Sequence, residues 1–404
     1  MNDATFKEET SMTAIEKKIA IIGVGNCGSQ VANLAHQKYS ELFDTIYINT
    51  SESDLSMVSD DTTLKFKIGA KDEVEGSGKN RAKMKEYLAA DIGNILTNED
   101  LIDCISEKKY CFICSSAAGG TGSGASPVLY DLMRQMFPDT NFILITVLPQ
   151  LAASLMEQGN ALEFLDELYK VLGDNTTYMI YDNEAVADLP PTEGLKVVNE
   201  AIVEDLKVLS GVDNMPTPYE SIDEADMESI ITTPGRLLVT RVNKNLTEKV
   251  MEDASLDDMI VKAIKKSCHA ETNRDNRVVR WGIITNFTEA VNSLYKSDLE
   301  GVRKFIGTPV ERFNHNAINK SNEQLNFLYM IASGLSPIND RVRRITDRID
   351  ELKKALAKDE TSKYILDGEG ASYDVMAARK KADKKANQSA EVNPAAIFAK
   401  FMKK

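Results

Sequence analysis

Histidine and cysteine are scarce in this chain, with three and five residues among 404. His36, His269 and His315 stand far apart, so neither a histidine-rich metal site nor a Ser-His-Asp triad is supported. The cysteines, Cys27, Cys104, Cys111, Cys114 and Cys268, are odd in number and scattered, which is not the layout of a disulfide framework and fits a reducing compartment. Cys111-Phe-Ile-Cys114 has redox-pair or zinc-ligand spacing, but it sits in an apolar strand-like run without a second pair and reads as core. Cys268 and His269 are adjacent and would point apart on a helix, unlike a nucleophile and its base. Long apolar runs are missing too. The longest, near Tyr110 to Cys114 and Phe142 to Leu148, fall short of the roughly 18 residues of a spanning helix. Nor is there an excess of positive charge: Lys+Arg 48 against Asp+Glu 62 gives −14, which argues against a body that grips nucleic acid through its phosphates. The expectation is a cytoplasmic protein, off the membrane, whose partners are nucleotides and other proteins.

What is present is a strand-turn-helix rhythm, in a chain 43% hydrophobic and long enough for two packed lobes with tails. Lys18 to Ile22, Thr45 to Thr50, Lys109 to Cys114, Asn141 to Leu148 and Thr177 to Tyr181 read as strands with helical patterns between them. That alternation implies a parallel sheet with ligand loops at the strands' carboxyl ends. From Thr192 to Ser210, Leu195, Val198, Ile202, Leu206 and Leu209 recur at helical spacing and Gly211 stands at the cap position, predicting one long helix. Leu237 to Val242, Val278 to Thr285 and Leu325 to Ile331 are three more strand-like runs, separated by helical stretches, and suggest a smaller mixed lobe. Ser336-Pro337 then opens a helix striped with Ile338, Val342, Ile345, Ile349, Leu352 and Leu356 and flanked by Arg341, Arg343, Arg344 and Arg348. Ala371 to Lys404 carries eight basic and three acidic residues, a balance of +5, so the rest of the chain stands at −14 − 5 = −19. Such a tail reads as a solvated segment, with a docking peptide at Ala395 to Lys404.

The strongest chemical signal is Gly119-Gly120-Thr121-Gly122-Ser123-Gly124, directly after an apolar strand and before a helical run with Pro127 in its first part. Four glycines in six residues let backbone N–H groups converge at the positive end of a helix, an anion cradle to which Thr121 and Ser123 can add hydroxyl donors. Gly23-x-Gly25-x-x-Gly28 after the first strand is a weaker sign that also matches a dinucleotide fingerprint. A dinucleotide site needs an acidic residue closing the second strand, where this chain has Asn49-Thr50. That counts against an NAD(P)-dependent oxidoreductase, as does the second phosphate-type loop. A P-loop is excluded because Gly78-Lys79 is followed by Asn80 and the required upstream glycine is Glu73.

The GGTGSG loop in this setting resembles the signature of the tubulin/FtsZ superfamily, over roughly residues 18 to 360, and most of all its plasmid and phage TubZ branch. NTSESDL at Asn49 to Leu55, EGSGK at Glu75 to Lys79, ITTPG at Ile231 to Gly235 and the long helix followed by a basic tail carry the likeness to that branch. The resemblance implies an α/β fold made of a parallel-sheet nucleotide-binding domain, a long central helix, a smaller mixed α/β second domain, a C-terminal helix and a flexible tail. In residue numbers these are an extension over 1–16, a GTP-binding domain over 17–190, the central helix over 191–212, the second domain over 213–335, the C-terminal helix over 336–362 and the tail over 363–404. It further implies GTP with Mg2+ as ligands, held at the phosphates by Gly23, Gly25, Asn26, Cys27 and Gly119 to Gly124. Asn49 and Thr50 would lie near phosphate or sugar, and Gly78 and Lys79 near the third phosphate. Asn183 and Asn199 would recognise guanine, whose edge suits paired amides. Relatives often use a glutamate four residues beyond the proline for the ribose; here that position is Ala153, and Glu157 is a substitute.

The resemblance also assigns Asp223 and Asp226, in Ile222-Asp-Glu-Ala-Asp-Met, to the catalytic loop after the long helix. Three apart at a helix start, two carboxylates can face one way and polarise a water. They lie beyond a helix of about 28 Å, so they are expected to act on the nucleotide of a neighbouring subunit. The implied protein is a head-to-tail filament that hydrolyses GTP between subunits and moves plasmid or phage DNA through a DNA-bound adaptor on the basic tail. An FtsZ-like division filament, a phage spindle and a non-hydrolysing capping regulator are the related alternatives.

Overall fold

The computed structural model describes residues 17–59, 64–69, 75–170, 173, 175–242, 246–253, 255–272, 277–295, 298–320, 325–358, 363–365 and 372–374. The chain begins as the alternation predicts: β1 (Ile19–Val24), α1 (Gly25–Tyr39), β2 (Phe43–Asn49), α2 (Glu52–Ser56), β3 (Lys65–Lys67), α3 (Arg81–Leu96), α4 (Glu99–Ser106) and β4 (Tyr110–Ser116). Next come α5 (Thr121–Met136), β5 (Asn141–Leu148), α6 (Leu155–Lys170), β6 (Thr177–Asp182), a 3-10 turn at Asn183–Val186 and the long helix α7 (Pro191–Leu209). Then follow α8 (Glu224–Ile231), β7 (Gly235–Val242), α9 (Glu248–Asp253), α10 (Leu256–Lys266), β8 (Arg280–Thr288), α11 (Glu289–Leu294), α12 (Glu300–Ile306), β9 (Glu311–Asn319), β10 (Phe327–Leu335) and α13 (Asn339–Lys358). A short antiparallel hairpin pairs β11 (Lys363–Ile365) with β12 (Ser372–Asp374).

Ten strands form one sheet in the order β3-β2-β1-β4-β5-β6-β7-β10-β8-β9. β1 to β6 are parallel throughout, and every residue of Ile19–Val24 is buried, as a strand covered on both faces requires. On one face Leu88, Ile92, Leu129, Phe164 and Ile345 bring α3, α5, α6 and α13 against the sheet. On the other Val31, Val198, Ile202, Leu206 and Ile230 bring α1, α7 and α8. Each fully buried side chain of that α7 stripe contributes about 1.5–3 kcal/mol. A separate cluster around Trp281, Ile260 and Val302 fills the second lobe.

β7 joins the two halves of the sheet through only two parallel pairs, Thr177 with Gly235 and Tyr178 with Arg236. Beyond them β6 takes a different partner: Tyr181 bridges His269, and Asp182 N donates to Cys268 O at 2.8 Å. β10 then runs antiparallel to both β7 and β8.

Four expectations are corrected. The glycine loop is not wholly loop, because α5 starts at Thr121 and takes Gly122, Ser123 and Gly124 into its first turns. The helical stretch expected between the last two strand-like runs is present as α11 and α12, but the same stretch also holds strand β9 (Glu311–Asn319), half-exposed and too polar in sequence to look like one. Leu195, placed on the α7 stripe, is 47% exposed. Arg341, read as a flank of α13, is fully buried, whereas Leu356 of its apolar stripe is exposed. The N-terminal extension at 1–16 and the tail peptide at 395–404 lie outside the described residues.

Candidate functional site

The two glycine motifs meet at the carboxyl ends of β1 and β4, and their glycines are required by contact as well as by conformation. A Cβ on Gly28 would come within 2.0 Å of Cys114 O, and one on Gly23 within 2.5 Å of Gly28 O. Gly25 adopts φ +70, and a Cβ there would stand 3.0 Å from Gly122 N, so the β1–α1 and β4–α5 turns interlock. Neither α1, entered from Val24, nor α5, entered from Gly120, has a side-chain cap or an acidic residue in its first turn. Two helix N-termini therefore stand side by side with their N–H groups free of side-chain acceptors, an arrangement that attracts an anion. Asn26 is exposed and Cys27 and Gly119 are half-exposed on this surface, which gives it an open mouth.

Around the cradle, Thr121 and Thr50 share a hydroxyl–hydroxyl hydrogen bond of 2.8 Å, and Thr121 Oγ1 lies 3.4 Å from Ser77 Oγ. The Ser123 hydroxyl donates to Gly119 O, so it shapes the loop. Gly124 belongs to packing, since a Cβ there would meet Arg81 O at 2.9 Å. Asn49 accepts from Thr50 N at 2.8 Å and donates to Asp54 at 3.2 Å, which sets the turn into α2. The segment at 76–79 runs through three left-handed residues, Gly76 (φ 88), Gly78 (φ 59) and Lys79 (φ 59); Lys79 is the one non-glycine with positive φ among the described residues. It lies directly over the cradle: a Cβ on Gly120 would be 2.1 Å from Ser77 Oγ.

Lys79 Nζ pairs with Glu157 Oε1 at 2.8 Å. Burial would raise the Glu157 carboxyl, but hydrogen bonds from Lys79 and Ser154 outweigh it and hold the group below its ordinary value. Ala153 closes a turn on Gln150, and Glu157 is the carboxylate of this region that faces the loop over the cradle. Asn183 starts the 3-10 turn after β6, and its Oδ1 is buried with no partner among the described residues, an acceptor left open. Asn199 on α7 donates to Gln30 Oε1 at 3.3 Å and Gln30 donates to Asn26 Oδ1 at 3.0 Å, a chain of amides from α7 to the first turn of α1.

The two aspartates stand elsewhere. Asp223 caps α8 and forms a reciprocal box with Asp226: Asp226 N donates to Asp223 Oδ1 at 2.8 Å and Asp223 N to Asp226 Oδ2 at 3.2 Å. Next to them Glu224 pairs with Lys18 at 3.0 Å and Lys109 at 3.1 Å, and hydrogen bonds from these two lysines hold its carboxyl below the usual value. Lys18 and Lys109 immediately precede β1 and β4, so α8 sits at the amino ends of the strands whose carboxyl ends carry the cradle. At ~3.3 Å per residue, the length of β1 puts roughly 20 Å between the carboxylates and the cradle of one chain.

Sequence reasoning missed four residues that organise the site. Arg81 is buried and donates to Ser123 O at 2.9 Å, while pairing with Glu163 at 3.1 Å and Glu167 at 2.7 Å. Asn160 of α6 reaches both loops at the cradle, and Gln30 links Asn199 to Asn26. Arg341 grips Asp182 through Nε at 2.6 Å and Nη2 at 3.0 Å and also donates to Pro149 O at 2.7 Å, fixing the strand end that leads into Asn183. None of the four belongs to a motif, so only an unusual residue type on an apolar helix face could have marked them. Cys111 and Cys114 belong to the cores on opposite faces of the sheet, and burial pushes both thiols well above their ordinary value, in keeping with a core role. Cys27, half-exposed as a residue, packs against the core on the α1 face of the sheet, and burial pushes its thiol up to about 12. Among the described residues no group of three His, Cys, Asp or Glu could hold a metal ion.

Comparison with known proteins bears on this geometry. The family model described as Tubulin/FtsZ family, GTPase domain matches residues 18–190. The tubulin-like protein TubZ of Clostridium botulinum C phage is 22% identical over 397 residues, covering 96% of this chain and 100% of that one. The tubulin-like protein CetZ of Pyrococcus abyssi is 25% identical over 250 residues, and the match spans 66% of its length and 61% of this chain. The crystal structure of Clostridium botulinum phage c-st TubZ superposes with a TM-score of 0.68 at 18% identity, over 84% of this chain and 100% of that chain. A GTPγS-form protofilament of Bacillus thuringiensis serovar israelensis TubZ gives 0.64 at 17% identity, over 85% and 94%. Residues 18–190 thus match the GTPase domain of the Tubulin/FtsZ family, and the chain has the tubulin/FtsZ fold.

Proposed function

We propose that the chain binds GTP between the glycine turns, α2, α7 and the segment at 76–79, and hydrolyses it when subunits stack head to tail. The observation that carries this is the placement of the two carboxylates at the amino ends of the strands and the cradle at their carboxyl ends. A single subunit then holds nucleotide and carboxylates roughly a strand length apart, whereas stacking along the strand direction brings the Asp223–Asp226 corner of one subunit over the cradle of the next. The TubZ protofilament of Bacillus thuringiensis supports a stack of this kind.

In that complex Gly23, Gly25, Asn26, Cys27 and Gly119 to Ser123 offer backbone donors to the phosphates, with Thr121 adding a hydroxyl, while Gly124, whose N–H donates to Gly120 O, supports the loop from behind. Asn49 and Thr50 line the edge nearest phosphate and sugar, and Gly78 and Lys79 border the third phosphate. Asn183, with its open acceptor, and Asn199 recognise guanine, and Glu157 is the carboxylate nearest the ribose side. The cradle offers no cage of acidic ligands, so a magnesium ion fits as one carried by the phosphates and water, supplying charge neutralisation at the transferred group. The divisions at residues 190, 212 and 335 separate nucleotide binding, the connecting helix and the lobe that presents Asp223.

Phosphate release from GTP and from ATP, measured over a series of protein concentrations with light scattering in the same cuvette, tests the proposal. Specific GTP turnover is expected to rise above a critical concentration together with scattering. Turnover linear in protein without scattering would remove the in-trans site and leave a monomeric nucleotidase.

The cellular role we infer is positioning of plasmid or phage DNA in a bacterial cytoplasm, with DNA contacted through an adaptor on the basic segment at 371–404. The −19 charge on the rest of the chain supports an indirect contact. Deleting residues 371–404 is expected to spare assembly, read by scattering, and to abolish adaptor capture, read by co-sedimentation. Loss of polymers with the tail would defeat that division of labour.

A further inference from the structure

We propose that Asn160 is a positioning residue that makes the site's affinity depend on the third phosphate, by tying the segment at 77–80 to the glycine loop. This rests on the reading of the cradle as a GTP site. Asn160 lies in the second turn of α6 and is buried. Its Nδ2 donates to Lys79 O at 3.0 Å, to Ala118 O at 3.0 Å and to Gly119 O at 3.4 Å. One amide thus joins the backbone of the two segments that face each other across the cradle mouth, and it does so from an element belonging to neither.

The two segments need such a tie. Lys79 holds a left-handed backbone conformation that a side chain with a Cβ adopts only under constraint. Its ammonium is pinned by Glu157 and its carbonyl by Asn160, both on α6. The next basic residue, Arg81, is held by Glu163 and Glu167 of the same helix, and Lys85 also pairs with Glu167. Helix α6 is therefore the rail along which the 79–85 segment is fastened. Asn160 is the point on that rail that also touches the glycine loop.

Removing the amide takes their donor from the Lys79 and Ala118 carbonyls, while Gly119 O keeps the Ser123 hydroxyl, and it lets Lys79 relax to a negative φ, which carries Ser77 and Gly78 away from Gly120. A diphosphate reaches the helix N-termini and loses little by this. A triphosphate, whose outermost group is bordered by Ser77 to Lys79, loses its contacts there. The discrimination between GTP and GDP is what Asn160 supplies.

The test measures dissociation constants of GDP and GTPγS for the full chain, below its assembly concentration, in wild type, Asn160→Leu and Asn160→Ser. In Asn160→Leu, GTPγS is expected to weaken on the order of tenfold and GDP by less than about threefold, with Asn160→Ser intermediate. Equal weakening of both nucleotides in a folded variant would overturn the proposal, because a residue that only supports the fold changes both alike. If the wild type binds neither nucleotide, the GTP reading itself has failed, and the Asn160 proposal falls with it. Should the variants not fold, hydrogen exchange of the wild type decides. GTPγS, and not GDP, is expected to slow exchange at Ser77–Asn80 and Gly119–Gly120 together, and slowing of one segment alone would overturn the coupling.

Discussion

Asp223→Asn is expected to lower GTP turnover of the assembled protein by at least about a hundredfold, while GTP binding stays within twofold to threefold of wild type and filaments outlast their nucleotide supply. Asparagine is the informative choice because of what Asp223 does in the fold. It caps α8, and asparagine caps about as well as aspartate, whereas Asp223→Ala gives up about 0.5–2 kcal/mol of local stability. Comparing the two separates lost charge from lost cap. If alanine lowers turnover and asparagine does not, the carboxylate matters only as a cap. The same comparison at Asp226, whose side chain closes the box, shows which carboxylate acts on water. Steady-state turnover with scattering, and sedimentation after GTP exhaustion, supply the readouts. Loss of nucleotide affinity equal to the loss of turnover would place Asp223 outside catalysis.

Arg341→Leu is expected to destabilise the folded chain by about 3–5 kcal/mol in urea unfolding, the cost of leaving a buried carboxylate without its partner. Arg341 is fully buried and Asp182 nearly so; the arginine also holds Pro149 O, so it pins the loop after β5 and the end of β6 at once. The double variant Asp182→Asn, Arg341→Leu is expected to recover more than half of that loss, since it removes the stranded charge. A single variant as stable as wild type would mean that water takes the arginine's place. Because Asp182 also caps the turn that begins at Asn183, the single variant should weaken guanine nucleotides as well.

The interlocked glycine turns were legible because close approach of Gly28 to Cys114 and of Gly25 to Gly122 forbids a side chain, and the sequence displays that constraint. The same glycines misled on where the helix begins. Gly122 and Gly124 each cost a helix roughly 1 kcal/mol against alanine, so a loop was the reading from propensity. Tertiary contact reverses it, since a Cβ at Gly122 would stand 3.0 Å from Ser115 Cβ and one at Gly124 2.9 Å from Arg81 O. β9 was invisible for the opposite reason. ERFNHNAIN is an edge strand whose polar residues bond to neighbours, as Asn316 does to Glu220 at 3.0 Å, and no apolar run announces it. Arg81, Asn160 and Arg341 carry their meaning only in partners 41 to 192 residues away, which local patterning does not encode. Asp223 and Asp226 were found through resemblance, yet their three-residue spacing turned out to be that of a cap, a use compatible with, and separate from, any action on water.

The seam between β6 and β7 has a mechanical consequence. Among the described residues the β6–β7 ladder has two pairs, helped by the bridge at Tyr181 and His269 and by single backbone bonds such as Asp182 N to Cys268 O and Ala270 N to Ile180 O, against five to seven pairs between the neighbouring strands β1, β2, β4 and β5. A beam bends where it is thinnest. Twisting one lobe against the other therefore loads Tyr178, Arg236 and the end of β6 before it loads anything else, and the residue at the end of that strand is Asp182, one step from Asn183. Strain imposed on the second lobe by a neighbour is therefore expected to reach Asp182 and Asn183, the strand end proposed to border the nucleobase.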